Sequence, residues 1–300
     1  LQELAAQVQE LVPLLVEELF MKRTMKTMAV AASLAMSAAA MGQESMYTQA
    51  ATMPSPGAFS YRPGFHYFRY GADPVDANSD RTDKYEFMNS VSYGIVRNWA
   101  VTVDVPVVWE NEKFNDGTSD SDKGVEDIEA MVKWRFYQSD SGTIDTIRAA
   151  ALFGAHFASG DDDDFSSESV NPMIGGVITI VRGRHGFNQD LIYTWNTGGT
   201  REANLGGEGP DDALAFNTSW VFRLYPDRFT SEHSGGLYST LELNGLYETN
   251  GDTEIRLSPG LMWEDRKWTA ELMMQLPLWE DVDERPTLEF GIGVGLRISF

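Results

Sequence analysis

The chain has 300 residues, 45 acidic against 23 Lys and Arg, a formal net charge of −22 and no cysteine. The absence of cysteine excludes a disulfide framework and a thiolate metal site, and an acidic chain without Lys/Arg clusters argues against a nucleic-acid partner. No apolar run reaches the length of a transmembrane helix, but 12% aromatics and 27 glycines suit half-apolar strands, which average hydropathy hides.

The first 20 residues place Leu1, Leu4, Val8, Leu11, Leu15 and Leu19 on one face of an amphipathic helix. Residues 21–42 read as a secretory signal peptide. Met21 precedes Lys22, Arg23 and Lys26, and a small apolar run from Met28 to Ala40 ends in small-residue cleavage sites after Ala40 or Gly42. A helix ahead of a signal peptide serves no targeting purpose. The expectation is therefore an over-extended N-terminus over residues 1–20, the alternative being a genuine helix. Residues 43–57 read as a polar, loosely ordered periplasmic lead-in.

Residues 58–300 alternate in strand fashion. The spacing predicts strands over 58–70, 83–96, 98–110, 124–137, 144–158, 170–181, 187–195, 214–225, 237–248, 255–264, 268–278 and 288–300. In 98–110, Trp99, Val101, Val103, Val105, Val107 and Trp109 share one face. Ten residues of tilted strand set the two Trp roughly 25 Å apart in height, the spacing of two aromatic girdles. The last strand alternates from Leu288 to Phe300, with Glu289, Gly291, Gly293, Gly295, Arg297 and Ser299 on its other face. Twelve segments is an even number, as single-chain bacterial barrels require. The connections alternate long and short, as outer loops and inner turns do, except that 226–234 is too long and 249–252 too brief. The fold class expected is all-β: a single antiparallel transmembrane β-barrel of about twelve strands.

Three stretches carry a family resemblance. Tyr93-Gly94-Ile95-Val96-Arg97-Asn98-Trp99-Ala100-Val101, continuing to Val105-Pro106-Val107, resembles the strand–turn–strand core of the outer-membrane proteins named after the meta-pathway of phenol degradation (the MetA-pathway family). Gly124-Val125-Glu126-Asp127 to Lys133-Trp134-Arg135-Phe136 resembles the next strand of that family, with Glu126 where Gly is usual. Leu152-Phe153-Gly154 to Ser159-Gly160-Asp161 resembles the following one, with Ser159 in place of Thr. The resemblance implies a cell outer-membrane location and transport of small, often hydrophobic or aromatic compounds.

The face expected to point inward carries both signs: Asp104, Glu129, Asp190, Glu242, Glu271 and Glu289 against Lys133, Arg135, Arg148, Arg223, Arg256 and Arg297. Such residues either set solute selectivity or pair across a narrow lumen; both readings stand. Trp99, Trp109, Trp134, Trp195, Trp263 and Trp268 are the expected membrane-interface aromatics. Leu296, Ile298 and Phe300 form the expected C-terminal assembly signal. The expected partners are therefore outer-membrane lipid, the barrel insertion machinery and a small-molecule solute, with no cofactor.

The acidic excess lies in outer loops, chiefly 110–122 and Asp161 to Asp164, but no Asp-x-Asp-x-Asp-Gly pattern marks a calcium loop, so no metal is expected. The four histidines, His66, His156, His185 and His233, are scattered. His156 lies near Ser159 and Asp161 without a nucleophile signature, so an enzyme is not expected. The remaining alternative is a structural or adhesive barrel with a blocked lumen. Whether Tyr47–Pro56 folds inside as a plug is open at this level.

Overall fold

The computed structural model describes residues 44–300, except 75, 77, 143, 162–164, 199–210, 231–232 and 284. The predicted helix and signal peptide lie outside the described residues, as does most of the Asp161–Asp164 run. Among the described residues no helix is long and apolar enough to cross a membrane.

Thirteen strands follow one another: β1 (Phe59–Tyr70), β2 (Ser79–Val96), β3 (Trp99–Phe114), β4 (Ser119–Val125), β5 (Ile128–Ser141), β6 (Asp145–Phe157), β7 (Asn171–Arg182), β8 (His185–Thr194), β9 (Ala213–Tyr225), β10 (Gly235–Glu248), β11 (Thr253–Asp265), β12 (Trp268–Asp281) and β13 (Leu288–Ser299). Neighbours pair antiparallel, and β13 closes on β1 through Ser60↔Ser299 to Tyr70↔Leu288. The result is a closed 12-strand antiparallel barrel plus one extra strand, so the expected fold class holds.

The extra strand corrects one expectation. Residues 111–123 read as a loop, yet β3 runs on to Phe114 and pairs with β4 from Lys113↔Ser119 to Val107↔Val125. Charged, polar residues on both faces concealed this hairpin from a search for apolar alternation. Its turn, Asn115-Asp116-Gly117-Thr118, was the legible signal: Asp116 accepts from the Thr118 amide at 2.8 Å and from its hydroxyl at 2.6 Å. The lower part of β3 pairs with β5, from Trp99↔Trp134 to Asp104↔Glu129. β4 and β5 are thus successive lengths of one wall position, interrupted at Glu126 and Asp127.

The outward face is apolar and exposed, the reverse of a water-soluble barrel. Trp109, Phe136, Leu191, Leu272 and Trp279 are 42, 58, 52, 51 and 59% exposed. The inward face holds the polar side chains, including Asn188, Ser219, Glu242 and Ser258 at 0% exposure. β7 reads irregularly in sequence because both its faces are apolar. Its inward Met173 and Val177 pack with Met131, Ala150 and Leu152.

Candidate functional site: the lumen and the segment that crosses it

Residues 44–56 form no strand, yet Ser45, Thr48, Ala50 and Ala51 are at most 1% exposed. A buried backbone needs a partner for each N–H and C=O. Here the barrel wall supplies them with side chains. Glu242 accepts from the Thr48 amide at 2.7 Å, the Thr48 hydroxyl at 2.5 Å and the Tyr47 amide at 3.3 Å. Asp190 accepts from the Gln49 amide at 2.7 Å, and the Thr179 hydroxyl from the Ala51 amide at 2.8 Å. Lys133 donates to the Ala50 carbonyl at 2.6 Å and reaches the Gln49 side chain and Thr52 carbonyl at 3.3 and 3.5 Å. Arg62 donates to the Ser45 carbonyl at 2.8 Å, and Arg297 to Glu44 at 2.8 Å. Ala51 adds an apolar contact with the cluster on β5–β7. The N-terminal segment is a plug inside the lumen rather than the loose lead-in expected of residues 43–57.

Two glycines make room for it. A Cβ on Gly94 would stand 2.2 Å from the Ser55 carbonyl oxygen and 2.6 Å from that of Pro54. A Cβ on Gly293 would stand 2.6 Å from the Met46 sulfur and 2.7 Å from the Tyr47 hydroxyl. The small face of the last strand is small because side chains of the plug lie against it.

The other inward charges fall as follows. Asp104 stands opposite Glu129, and its Oδ1 is buried without a hydrogen-bond partner among the described residues. Glu129 lies 3.9 Å from His156. Arg135 donates to the Arg97 carbonyl at 2.7 Å, and Arg148 to the Thr146 hydroxyl at 3.1 Å. Arg223 is 3% exposed and lies 4.6 Å from the Phe229 ring centroid. Glu271 pairs with Arg62 at 3.1 Å, and Arg256 with Glu254 at 2.8 Å. Glu289 is different: it is exposed, at the pairing irregularity that leaves Leu288 buried opposite Tyr70, and so stands apart from the lumen set. The bulge reverses the alternation there, which strict period-two reading misses.

Trp99, Trp109, Trp134, Trp195 and Trp268 are 38–43% exposed on the outer wall, and Trp263 is half-buried. Trp99 stacks on Trp134 at 5.6 Å. Leu296 faces outward at 37% exposure, Ile298 is half-buried, and Phe300 is 74% exposed with its amide bonded to the Phe59 carbonyl at 2.9 Å.

At the long-loop end the charges hold one another. Arg285, on the β12–β13 connection, reaches Glu248 at 2.8 Å and Glu254 at 3.1 Å. Burial works against its charge, and the two carboxylates more than offset that, raising its pKa. Lys84 bonds Glu126 at 2.5 Å and Glu110 at 3.3 Å. Asp127 anchors the β6–β7 loop. It accepts from the amides of Ser159, Gly160 and Ser167 at 3.0, 2.8 and 3.0 Å and from the Ser167 hydroxyl at 2.5 Å. Burial pushes its carboxyl up, but these bonds outweigh it and hold the pKa below the usual range. Ser159 and Asp161, the neighbours of His156 in sequence, accept backbone amides from Ile128 and Val125.

Sequence reading missed Arg62, His66, Lys84, Glu86 and Arg285. The first four lie on β1 and β2, where Pro63 and dense aromatics blur the pattern, and Arg285 lies in a loop. His66 meets Glu86 at 2.9 Å. Inward rings run up β1 above the plug: Tyr47–His66 at 5.6 Å, His66–Phe68 at 5.9 Å and Phe68–Tyr70 at 6.3 Å. Below, a small polar cavity of about 70 Å³ is bordered by Arg62, Ser90, Thr102, Asp104, Lys133 and Arg297.

No family model matches the sequence, and no curated protein matches it. Solved structures do. An outer-membrane channel from Pseudomonas putida F1 aligns over 86% of this chain and 98% of its own, at 9% identity and a TM-score of 0.59. The β domain of the Bordetella autotransporter BrkA aligns over 81% of this chain and all 100% of its own, at 10% identity and a TM-score of 0.47. At 9% identity the likeness to the Pseudomonas channel is one of fold: this chain is the same kind of closed barrel.

Proposed function

We propose that the protein is an outer-membrane channel for small solutes, held closed in this conformation by its own N-terminal segment. The observation that carries the reading is the pairing of an apolar, exposed outer wall with a charged lumen whose side chains hold that segment. A segment fixed mainly by hydrogen bonds to side chains can leave by exchanging them for water, because such bonds have a small net worth. The lumen charges then act chiefly as tethers, and selectivity follows from what remains exposed once the segment moves. A bilayer-facing wall with aromatic residues at both ends suits an outer membrane.

The solute class follows from the ring track of Tyr47, His66, Phe68 and Tyr70, which leads from the outer mouth to the plug. A path lined by tilted aromatic rings offers faces and edges to planar aromatic compounds, in keeping with the MetA-pathway resemblance. The charged cavity beneath favours polar ones. Aromatic solutes bearing a polar group satisfy both regions.

The test is single-channel conductance in a planar bilayer, for the full chain and for a chain lacking residues 44–56, with and without a phenolic solute. Low or rare conductance in the full chain, large steps in the shortened one and reduction of current by the phenol would support the reading. A shortened barrel that inserts but stays silent would sink it and leave a structural barrel.

A further inference from the structure

The hairpin formed by β3 and β4 carries opposite charges on its two faces. Glu110, Glu112, Asp120 and Asp122 lie on the lumen side, while Lys113 and Lys123 share the outward face with Trp109. The adjoining strands extend the outward set. Tyr67, Tyr85, Trp109 and Lys123 are paired side by side across β1–β4. Two residues further toward the long-loop end stand Arg69, Asp83 and Asn111, and beyond them Arg81 directly opposite Lys113. Two residues of tilted strand rise about 5 Å in height, so the cations begin just outside the aromatic row.

Like charges directly opposite on one face of a sheet repel. Here a single carboxylate gathers three cations: Asp83 lies 3.0 Å from Arg69, 3.0 Å from Arg81 and 3.9 Å from Lys113. The Asp83 side chain is 8% exposed, whereas those of Arg69, Arg81 and Lys113 are 31, 28 and 43% exposed. The carboxylate therefore sits beneath and the cations face out. Arg69 lies over the rings of Tyr67 and Phe290, at 5.9 and 5.3 Å, which fixes its plane against the aromatic row. The Nε of Arg81 has no hydrogen-bond partner among the described residues. Asp80, in the bulge between Ser79 and Arg81, is exposed beside the patch.

We infer that this outward patch binds a phosphate-bearing lipid headgroup of the outer leaflet, with Arg81 and Lys113 on phosphate oxygens and Arg69 at the edge. The inference rests on the outer-membrane reading above. Charge complementarity selects the ligand: in a chain of net charge −22, the outward positions paired in register just beyond the aromatic row of β1–β4 carry Arg69, Arg81 and Lys113 against Asp83. Guanidinium groups suit phosphate through paired, charge-assisted bonds. The aromatic row beneath provides the depth at which acyl chains give way to headgroups.

The test titrates the full chain in neutral detergent with a diphosphorylated glucosamine lipid (lipid A), with the same lipid stripped of both phosphates, and with inorganic phosphate. Native mass spectrometry reads occupancy, and the heat-modifiable gel shift of the folded barrel checks each variant. The phosphorylated lipid is expected to bind at least about tenfold more tightly than the stripped one. Arg81→Gln with Lys113→Gln removes the difference, while Arg182→Gln, at the tight-turn end, leaves it. Each single variant serves if the double one does not fold. Equal affinity for the two lipids, an unaltered preference in the variants, or equal occupancy by inorganic phosphate overturns the proposal. Insertion into phosphate-free lipid vesicles is scored separately. A barrel that inserts without preferring the phosphorylated lipid defeats the patch alone, and one that enters no bilayer defeats the membrane reading.

Discussion

The two halves of the lumen use charge differently. In the inner half, midway along their strands, Glu242, Asp190 and Lys133 spend their hydrogen bonds on the backbone of a segment outside the wall. Toward the long loops, Arg285, Glu248 and Glu254 spend theirs on one another. The first arrangement is releasable, since water can take over each bond as the segment leaves. The second is not, since removing one partner strands a buried opposite charge. The same residue types therefore predict different consequences: changes near the long loops register as stability, and changes near the plug register as conductance.

The largest effect is expected at Arg285. Arg285→Ala removes the cation that buried Glu248 and Glu254 share, leaving Arg256 on Glu254 alone, and breaking such a buried pair costs about 3–5 kcal/mol. The denaturation midpoint in detergent should fall clearly, and an unchanged midpoint would erase the contrast between the halves. Lys133→Met comes next. It removes the donor to the Ala50 carbonyl, and a hydrogen bond to a charged group is worth about 1.5–3 kcal/mol. That loss falls on plug retention, so open events in a bilayer should become more frequent by one to two orders of magnitude, roughly the same free energy expressed as a ratio. A variant that loses barrel stability instead would show that the plug is part of the wall's own cooperative unit.

How far these halves were legible in sequence differs in the same way. The strands announced themselves because the exposed outer wall is apolar at every second residue, as Trp99 to Trp109 shows. Most inward charges followed from the same parity. The plug did not, because residues 44–56 have no periodicity; their partners Glu242 and Asp190 lie more than 140 residues away. Nor did Arg285, whose place in a loop carries no parity. Glu289 misled because a bulge shifts parity without leaving a mark in composition. The hairpin of β3 and β4 was missed for a third reason: beyond the apolar band of the wall its strands carry polar and charged residues on both faces and display no apolar alternation.

Asp127, which binds a long loop rather than another lumen charge, gives a smaller effect that sharpens the distinction. Its carboxylate holds the β6–β7 loop through three amides and a hydroxyl. Because its folded pKa is depressed, the contribution is present above the unfolded value of about 3.9 and is lost as pH falls through the folded value. Protease cleavage in residues 158–170 should therefore rise below about pH 4, with channel closure unchanged until the plug itself responds. Asp127→Asn keeps one acceptor and costs about 1–2 kcal/mol of loop anchoring at neutral pH. Cleavage independent of both pH and the substitution would remove Asp127 from this role.

The finest test separates the plug's side chains from its backbone. Gly293→Ala sets a methyl against the Met46 sulfur, the Tyr47 hydroxyl and His66 Cδ2 at 2.6, 2.7 and 3.0 Å. The first two are far ends of flexible side chains, which can rotate away for less than about 1 kcal/mol. Gly94→Ala sets its methyl against two carbonyl oxygens, of Ser55 and Pro54, which move only if the chain moves. Hydrogen exchange of the Tyr47 and Thr48 amides should therefore quicken by only a few-fold in Gly293→Ala. In Gly94→Ala, the part of the segment entering beside β2 should shift, and conductance should rise as it does for Lys133→Met. If the two alanines behave alike, the segment yields as one body, and the distinction between tethered backbone and adaptable side chains disappears. If only Gly94→Ala opens the barrel, the entry point beside β2 acts as the hinge, and the contacts of Glu242 and Asp190 deeper in the lumen are the ones released last.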